Sequence, residues 1–486
     1  MKIKKKNKYG VIIKEIYENR NNNLLKSNLY NYLIKINEIF KFLIILILII
    51  EIFKYNKILK KFDLILKENY LKIQFNLNTT FSKIIKNKIK IGIYTYSFKN
   101  GGTQRITSLL LKYLYKIQIF DIFIFSQKIK EDNEYYIPIN IKRTVIKDFK
   151  IHTLIRKTRK KRLHILIYQF PYADEIKILN NLKDLKIIFY QHYSLFYWIY
   201  FDYISFKYLY KNYQNSKYIV SIIPLENDYL FKKWGINSIL MENFITYEYN
   251  YVIPSDLSSK NILMIGRGHD IIKRYDLGIL ALKHILKEVS NSKMIIIADL
   301  KGISDIKNFT QKLNYKNNIN FIGYTSSPEI YFKNASLHIF PSISESFGLV
   351  LCETKIYGIP NILVGLDYVS IAKGGTIIVY DDKPETIAKE SIKILKNDEY
   401  RKKLSKEARK SMKKYNNERL KIKWIKLILC VYNDDYNYYQ MIREENRQMS
   451  KEEAIYLLKN QIKLLRMRKP DFRNMTLNQF ENLKFL

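Results

Sequence analysis

The chain has 486 residues, 47% of them hydrophobic, so it is long enough to fold into two or three domains with sizeable cores. Its 84 Lys and Arg residues against 45 Asp and Glu give a formal charge of +39, which favours an anionic partner: a phosphorylated substrate, a membrane surface or nucleic acid. Two cysteines are too few for a disulfide framework or a thiolate metal site, and they fit a reducing compartment.

The first 86 residues form an N-terminal extension without alternating strands and helices, and they contain one strongly apolar run at residues 42–50. A membrane-spanning helix needs about 20 apolar residues, whereas Lys41 and Glu51 bound this run. We expect a helix that lies on an anionic membrane surface, and a buried helix and a true membrane span remain alternatives. The extension therefore predicts a cytoplasmic protein that is peripheral to the cytoplasmic face of a membrane.

Residues 87–255 show short apolar runs separated by helix-length segments, which indicates a first Rossmann-like domain. Its predicted strands lie at residues 89–96, 121–125, 164–169, 186–191 and 217–223. Strands that alternate with helices predict right-handed βαβ units and a parallel sheet.

A linker containing Pro254 and three serines leads into a second α/β series, which occupies residues 256–420. Its predicted strands lie at residues 261–265, 293–298, 320–322, 337–340, 361–364 and 376–379. Two consecutive doubly wound domains predict a cleft between them, with ligands at the carboxyl ends of the strands. Residues 421–486 predict a helical C-terminal tail.

The clearest chemical signal is PSISESFGLVLCE at residues 341–353, which follows an apolar strand and opens a helix. Glu345 and Glu353 stand on either side of Gly348 and Leu349, where that helix begins. The first N–H groups of a helix and the positive end of its dipole can bind a diphosphate. The segment therefore predicts an anion site with one carboxylate before the helix and one inside it.

This segment resembles the E-x7-E signature of glycosyltransferase family 4, whose members have the GT-B fold of two Rossmann-like domains facing a cleft. The resemblance extends over about residues 88–420. It implies a retaining transferase that moves a hexose from a UDP- or GDP-sugar to a glycan or lipid-linked acceptor. We expect Glu345 to face the transferring sugar and Glu353 to accept hydrogen bonds from the ribose hydroxyls.

A second segment, ILMIGRGHDIIKRYD at residues 262–276, resembles the family's strand, Gly-Arg turn and basic residue at the next helix. By this resemblance Arg267 and Lys273 neutralise the donor diphosphate, whose charge grows as the glycosidic bond breaks. An Arg fork and a Lys point charge both suit phosphate. Arg274 adjoins Lys273, so either of the two could contact the phosphate.

Two segments of the first domain complete the predicted site. Gly101 and Gly102, in GGTQR after the first strand, resemble the family's Gly-Gly-x-x-Arg loop, where the backbone can approach a ligand closely. His192, in IIFYQHYSLF at the end of a strand, resembles the histidine that many such enzymes place beside the sugar or acceptor. We therefore expect the two glycines in donor binding and His192 in catalysis.

The sequence contains no Asp-x-Asp pair, which argues against the other large glycosyltransferase fold, where such a pair holds a divalent metal. Because helix N-termini, Arg and Lys can hold a diphosphate, we predict no metal and no cofactor besides the nucleotide-sugar co-substrate. Nucleic acid is not an expected partner, since the basic residues do not cluster on a recognition element.

Two other interpretations remain open. The charge and the aromatic content also fit a catalytically inactive basic scaffold at a membrane or nucleic acid, with two Rossmann halves. A phosphorylase-like enzyme would use inorganic phosphate, but the chain is short for one and shows no obvious pyridoxal lysine. The sequence identifies neither the sugar nor the nucleotide, the acceptor, the oligomeric state or the role of residues 435–486.

Overall fold

The computed structural model describes residues 88–99, 101–132, 134–147, 150–169, 173–268, 270–445 and 449–481. The predicted membrane-associating run at residues 42–50 lies outside the described residues. Residues 89–116 and 120–486 belong to one compact unit, which contains both sheets. Within the described part of the chain, no helix is both long and apolar enough to cross a bilayer.

The first domain is built on a parallel sheet of seven strands in the order β3-β2-β1-β4-β5-β6-β7. The strands are β1 (Ile89–Thr95), β2 (Phe120–Ser126), β3 (Arg143–Val145), β4 (Ile165–Gln169), β5 (Lys186–Tyr190), β6 (Tyr218–Ser221) and β7 (Ile239–Leu240). The sequence predicts five of them to within two residues at either end. It misses β3 and β7, because three half-buried residues and a two-residue edge strand give no apolar run.

Helices connect the strands of this sheet. They are α1 (Gly102–Leu114), α2 (Ile151–Lys160), α3 (Ala173–Asn180), α4 (Leu195–Phe201), α5 (Tyr203–Tyr213) and α6 (Phe231–Trp234), with a π-helix at Glu226–Leu230 before α6. In α1 the fully buried residues Ile106, Leu110 and Leu114 recur every four positions, which places them on the face that packs on the sheet.

The second domain has a parallel sheet of six strands in the order β10-β9-β8-β11-β12-β13. The strands are β8 (Asn261–Ile265), β9 (Lys293–Ile297), β10 (Ile319–Ile322), β11 (Leu337–Phe340), β12 (Asn361–Val364) and β13 (Thr376–Val379). All six are predicted by the sequence, since each is a short apolar run between turn residues. Two consecutive doubly wound sheets confirm the predicted fold class.

The helices of the second domain and the tail follow the same pattern. They are α7 (Asp270–Lys273), α8 (Tyr275–Glu288), α9 (Ser304–Gln311), α10 (Glu329–Phe332), α11 (Leu349–Ile356), α12 (Pro384–Lys396), α13 (Asp398–Met412), α14 (Asn417–Tyr432), α15 (Tyr436–Glu445), α16 (Lys451–Arg468) and α17 (Leu477–Glu481). The described part of the C-terminal tail is helical, as predicted.

The strand order reverses at the same place in both sheets, between β1 and β4 in the first and between β8 and β11 in the second. Ligands of open α/β sheets bind outside the carboxyl ends of the strands at such a switch point. The Gly101-Gly102 loop follows β1, the Gly-Arg turn follows β8, and the segment with both glutamates follows β11. The topology thus brings the sequence motifs to the two switch points.

The chain crosses back to the first domain after α13. The side chain of Asn417 accepts a hydrogen bond from the Ile245 amide at 2.9 Å, and the Trp424 ring meets the Tyr190 ring edge-on at 5.1 Å. In α15 the Tyr439 hydroxyl accepts from the Ile219 amide of β6 at 3.1 Å. Helices α14 and α15 are therefore fixed on the first domain.

Candidate active site

Glu345 lies in the loop between β11 and α11, and it forms an ion pair with Lys273. The Lys273 Nζ is 2.5 Å from the Glu345 Oε1, and both side chains are mostly buried. The same ammonium group lies 5.3 Å from the centre of the Phe340 ring at the end of β11. The sequence motifs predict separate roles for these two residues, and the structure brings them into contact.

The backbone of Glu345 is held from the opposite side by Tyr368, in the loop after β12. The Tyr368 hydroxyl accepts a hydrogen bond from the Glu345 amide at 3.2 Å and donates to the Glu345 carbonyl at 3.0 Å. The Ile343 amide donates to the Ile272 carbonyl at 2.9 Å. The loop that carries Glu345 is therefore attached to the loop after β12 and to helix α7 of the second domain.

Helix α11 begins at Leu349 with a glycine as its N-cap. Gly348 has φ +76°, in the left-handed region that favours glycine, and no side chain caps the helix. The helix ends at Ile356, before Gly358 at φ +73° and Pro360. Its first N–H groups have no side-chain cap, so they can bind an anion such as a phosphate.

Helix α1 of the first domain also begins without a side-chain cap, and its first residue faces α11. A Cβ placed on Gly102 would lie 3.5 Å from the Leu349 Cδ1, an ordinary contact. Packing therefore does not demand a glycine at position 102. The N-termini of two helices from different domains meet here.

The two domains are joined at this point by an ion pair between Arg105 and Glu353. Arg105 extends from α1, and its Nη1 contacts the Oε1 of Glu353, which is 3% exposed inside α11. The Glu353 carboxylate raises the pKa of Arg105 above its ordinary value. The guanidinium also lies 5.4 Å from the centre of the Tyr135 ring. The sequence motif GGTQR contains this arginine but predicts no role for it.

His192 lies just beyond β5, and its main chain contacts the Glu345 loop. The Ser346 hydroxyl donates a hydrogen bond to the His192 carbonyl, and the imidazole packs on Tyr190 with ring centres 4.0 Å apart. Burial lowers the pKa of His192 to about 3, so its ring is neutral at physiological pH. The ring can exchange hydrogen bonds with a ligand, but it does not carry a positive charge.

A second buried acid, Glu226, lies at the start of the π-helix and contacts the segment that follows His192. Its Oε1 accepts hydrogen bonds from the Leu195 amide at 2.6 Å and the Ser194 hydroxyl at 3.1 Å, which fixes the start of α4. Burial raises the pKa of Glu226 to about 8. Sequence reasoning misses this residue, because a single Glu after an apolar strand has no motif around it.

The structure separates the three basic residues of the Gly-Arg segment. Arg274 has φ +52° and pairs with Asp382 at 2.7 Å, away from Glu345, whereas Lys273 meets Glu345. Lys273 is therefore the residue of this pair that lies at the switch point. It ends the short helix α7, and the long helix α8 begins two residues later. Arg267 is exposed, and its carbonyl accepts from the Tyr275 hydroxyl at 3.1 Å.

Of the nine predicted site residues, seven lie on segments that meet: Lys273 pairs with Glu345, the Ser346 hydroxyl donates to His192, and the helix start at Gly101 and Gly102 lies near the one at Gly348 and Leu349. Glu353 joins them through Arg105. Arg267 lies at the end of β8 beside them with an exposed side chain. Within the described residues there is no group of three or more His, Cys, Asp or Glu that could hold a metal ion.

Part of the chain is similar to a curated protein. A 179-residue stretch is 27% identical to the poly(glycerol-phosphate) alpha-glucosyltransferase of Bacillus subtilis (strain 168), and it covers 36% of this chain. The matching part is 25% of the Bacillus protein, so the chain spans about a quarter of the length of that curated relative.

Solved structures match over most of the described fold. Sucrose-phosphate synthase from Thermosynechococcus elongatus superposes with a TM-score of 0.59 at 14% identity, over 71% of this chain and 100% of that one. HepE from Anabaena, solved in complex with UDP and glucose, superposes with a TM-score of 0.57 at 12% identity, over 70% and 99%. At these identities the likeness shows the fold alone, which is GT-B.

The second domain also matches a protein family directly. Residues 251–411 match the profile of the family described as "Glycosyl transferases group 1". This range contains the Gly-Arg turn, both glutamates and the α11 N-terminus. The chain therefore carries a domain of the glycosyl transferases group 1 family, in the second half of a GT-B fold.

Proposed function

We propose that this protein is a retaining glycosyltransferase, which moves a hexose from a UDP- or GDP-sugar to a glycan or lipid-linked acceptor. The observation that supports it most is the ion pair of Glu345 with Lys273 beside the uncapped start of α11, at the switch point of the family domain. A carboxylate, an ammonium group and helix N–H groups without a side-chain cap lie together where a nucleotide sugar would bind.

The diphosphate of the donor is assigned to positive groups of the second domain. The N–H groups that follow Gly348 and Leu349 would bind its oxygens, and Lys273 and Arg267 would balance its charge. This charge grows when the bond between the sugar C1 and the diphosphate breaks, so these groups stabilise the transition state more than the ground state. Diphosphate binding by these groups needs no metal ion and no cofactor, so chelation by EDTA should leave the turnover unchanged.

The sugar and the ribose are assigned to the two glutamates. Glu345 would face the sugar, held by Lys273 and by the Tyr368 hydroxyl. Glu353 would accept hydrogen bonds from the ribose hydroxyls. A carboxylate has about four acceptor sites, and Arg105 contacts only the Oε1, so both partners can share it.

The first domain would supply the acceptor side. The neutral imidazole of His192 can exchange a hydrogen bond with the sugar or with the acceptor hydroxyl, and the Gly101-Gly102 backbone would approach the donor. The Bacillus relative is named for glucosyl transfer to poly(glycerol-phosphate), and this name supports a hexose donor and a polymeric acceptor here. The formal charge of +39 also suits an acceptor rich in phosphate.

A thermal-shift screen with UDP-glucose, UDP-GlcNAc, GDP-mannose and the free nucleotides tests donor binding. A donor at 100 times its Kd should stabilise the fold by about 2.7 kcal/mol, through mass action. One nucleotide series should raise the melting temperature, and its sugar should appear on a phosphate-rich glycan acceptor. If no nucleotide sugar shifts the melting temperature of a folded chain, the proposal is wrong.

We also propose that the protein associates peripherally with the cytoplasmic face of a membrane through residues 42–50 and the lysines around them. Deleting residues 1–86 should release the protein from anionic vesicles without abolishing donor binding. Attraction of exposed lysines to lipids is screened within about 8 Å at physiological salt, so high salt should weaken the attachment. Vesicle binding that survives the deletion would contradict this proposal.

A further inference from the structure

Helices α16 and α17 lie beyond the segment that matches the family, and they contact the candidate active site from outside. The family match ends at residue 411, whereas α16 begins at Lys451. These helices contact three elements around the site: the loop after β12, the Asp382 carboxylate that also pairs with Arg274, and helix α4 of the first domain. The sequence alone gives this tail no function.

The first contact holds the loop after β12. Gln461 of α16 donates to the Gly365 carbonyl at 2.6 Å and to the Asp367 Oδ1 at 3.0 Å, and Asn460 donates to the Asp367 Oδ2 at 2.7 Å. The Leu464 side chain fills the space where a Cβ of Gly365 would be. Tyr368 directly follows Asp367 in this loop, and its hydroxyl holds the Glu345 backbone.

The second contact connects the end of α16 to both domains. Arg468 makes two hydrogen bonds with Asp382, at 2.9 and 2.7 Å, and Arg274 pairs with the same carboxylate. The Arg468 guanidinium also lies 5.9 Å from the centre of the Tyr200 ring in α4. The tail therefore links α4 to the segment that carries Lys273.

The third contact is a row of aromatic rings that runs from α17 to Glu345. Phe480 is fully buried, and its ring lies nearly parallel to that of Phe196, with centres 6.0 Å apart and planes at 27°. The Phe196 ring packs on Tyr368 at 4.5 Å. Tyr368 then accepts the hydrogen bond from the Glu345 amide at 3.2 Å. Three rings thus connect the C-terminal helix to the backbone of the predicted catalytic acid.

We infer that the C-terminal tail positions Glu345, and that Phe480 is the positioning residue, which acts through Phe196 and Tyr368. Packed interiors have few voids, so removal of one ring in a row displaces its neighbours. Displacement of a catalytic group by about 1 Å can cost about a hundredfold in rate. The N–H groups at the start of α11 and the Arg267 side chain are not part of this row, so donor binding should survive. The inference rests on the proposed function for the role of Glu345, while the row of contacts is independent of it.

The test uses the full chain with Phe480→Ala, Phe480→Leu and the control Leu458→Ala. Leu458 is fully buried in the same tail, so its substitution loosens α16 without removing a ring. The first measurement is hydrogen exchange of the peptide that contains residues 342–348, without ligand and with UDP. Phe480→Ala should speed exchange of this peptide at least about threefold more than Leu458→Ala does, because the Glu345 amide donates to Tyr368. Phe480→Leu keeps the apolar volume but not the ring, so the exchange rate of this peptide should lie between those of the other two variants. If Phe480→Ala does not fold, Phe480→Leu is compared with Leu458→Ala in its place.

The second measurement separates turnover from binding with the donor found by the thermal-shift screen. Phe480→Ala should lower kcat roughly ten- to a hundredfold while the Kd for UDP changes less than about twofold. Unchanged exchange at residues 342–348 would overturn the inference, and an equal change in Leu458→Ala would overturn the assignment of the positioning role to Phe480. If the wild-type chain turns over no donor, the proposed function fails, and the exchange data alone decide whether the tail positions this loop.

Discussion

The two glutamates of the segment at residues 341–353 are held by different parts of the molecule. Glu345 pairs with Lys273 of its own domain, and Tyr368 of the same domain fixes its backbone. Glu353 pairs with Arg105, which belongs to the other domain. The ionic partner of Glu345 therefore lies in its own domain, whereas the ionic partner of Glu353 lies in the first domain and is present only while the two domains are together.

This difference suggests a division of labour. A group that stabilises developing charge must be fixed before the reaction begins, and the surroundings of Glu345 meet this requirement. A group that binds the ribose can use a contact that changes when the domains close around the donor. Substitutions of Glu345 and Glu353 should therefore have different effects.

The largest effect is expected for Glu345→Gln. If Glu345 acts only as the glycosidic bond breaks, kcat should fall by about 10²- to 10³-fold, while the donor Kd stays nearly unchanged. Product formation measured beside titration calorimetry gives both quantities. The matched control is Glu399→Gln, at a glutamate that is 88% exposed in α13. A fall in affinity as large as the fall in kcat would contradict a role restricted to the transition state.

Glu353→Gln should show the opposite pattern. Removal of its charge weakens hydrogen bonds to the ribose in the ground state and the transition state alike, so donor affinity should fall by about 1–3 kcal/mol. The KM should rise with it, and kcat at saturation should change much less. A donor that lacks the ribose 2′-hydroxyl should bind the wild type more weakly and show a smaller difference between wild type and Glu353→Gln. An equal loss for both donors would argue that Glu353 does not contact this hydroxyl.

Double-mutant cycles can show whether the interdomain pair is energetically coupled. Arg105→Ala and Glu353→Gln should be non-additive in the free energy of unfolding, by about 0.5–3 kcal/mol. Arg105→Ala and Glu345→Gln serve as the control cycle and should add to within about 0.5 kcal/mol. Coupling of equal size in both cycles would mean that the two glutamates are not held separately.

The smallest effect concerns the pH dependence of stability through Glu226. Its folded pKa of about 8 lies above the unfolded value near 4.5, so the native state binds more protons between these values. The contribution of Glu226 to stability is complete below about pH 4.5 and is lost as the pH rises through about 8. Glu226→Gln should therefore lose less stability than the wild type between pH 5 and 8, by an amount on the order of a few kcal/mol at most. Parallel stability curves for the two proteins would show that this acid does not titrate in that range.

The sequence predicts the second domain better than the first. All six of its strands are apolar runs, and Lys273, Glu345 and Glu353 lie in recognisable motifs of contiguous residues. The edge strands β3 and β7 are missed, because an edge strand of two or three residues needs no continuous apolar run.

Contacts between distant residues are the part that the sequence does not reveal. Arg105 and Glu353 are 248 residues apart in the chain, and no local pattern links them. Tyr368 is one of 41 tyrosines, so the presence of a tyrosine at this position does not indicate a role. The tail shows only helical periodicity, and its packing on the loop after β12 depends on the fold of both domains.

The most direct test of this account is donor calorimetry beside product formation for Glu345→Gln, Glu353→Gln and Arg267→Ala, measured together. We expect Glu345→Gln to lose turnover with intact donor affinity, and Glu353→Gln to lose affinity with nearly intact turnover. Arg267→Ala should lower both, because the diphosphate charge that we assign to Arg267 is present in the ground state and grows in the transition state. Equal and small effects on both quantities in all three variants would contradict the catalytic assignment and would favour a binding protein with this fold.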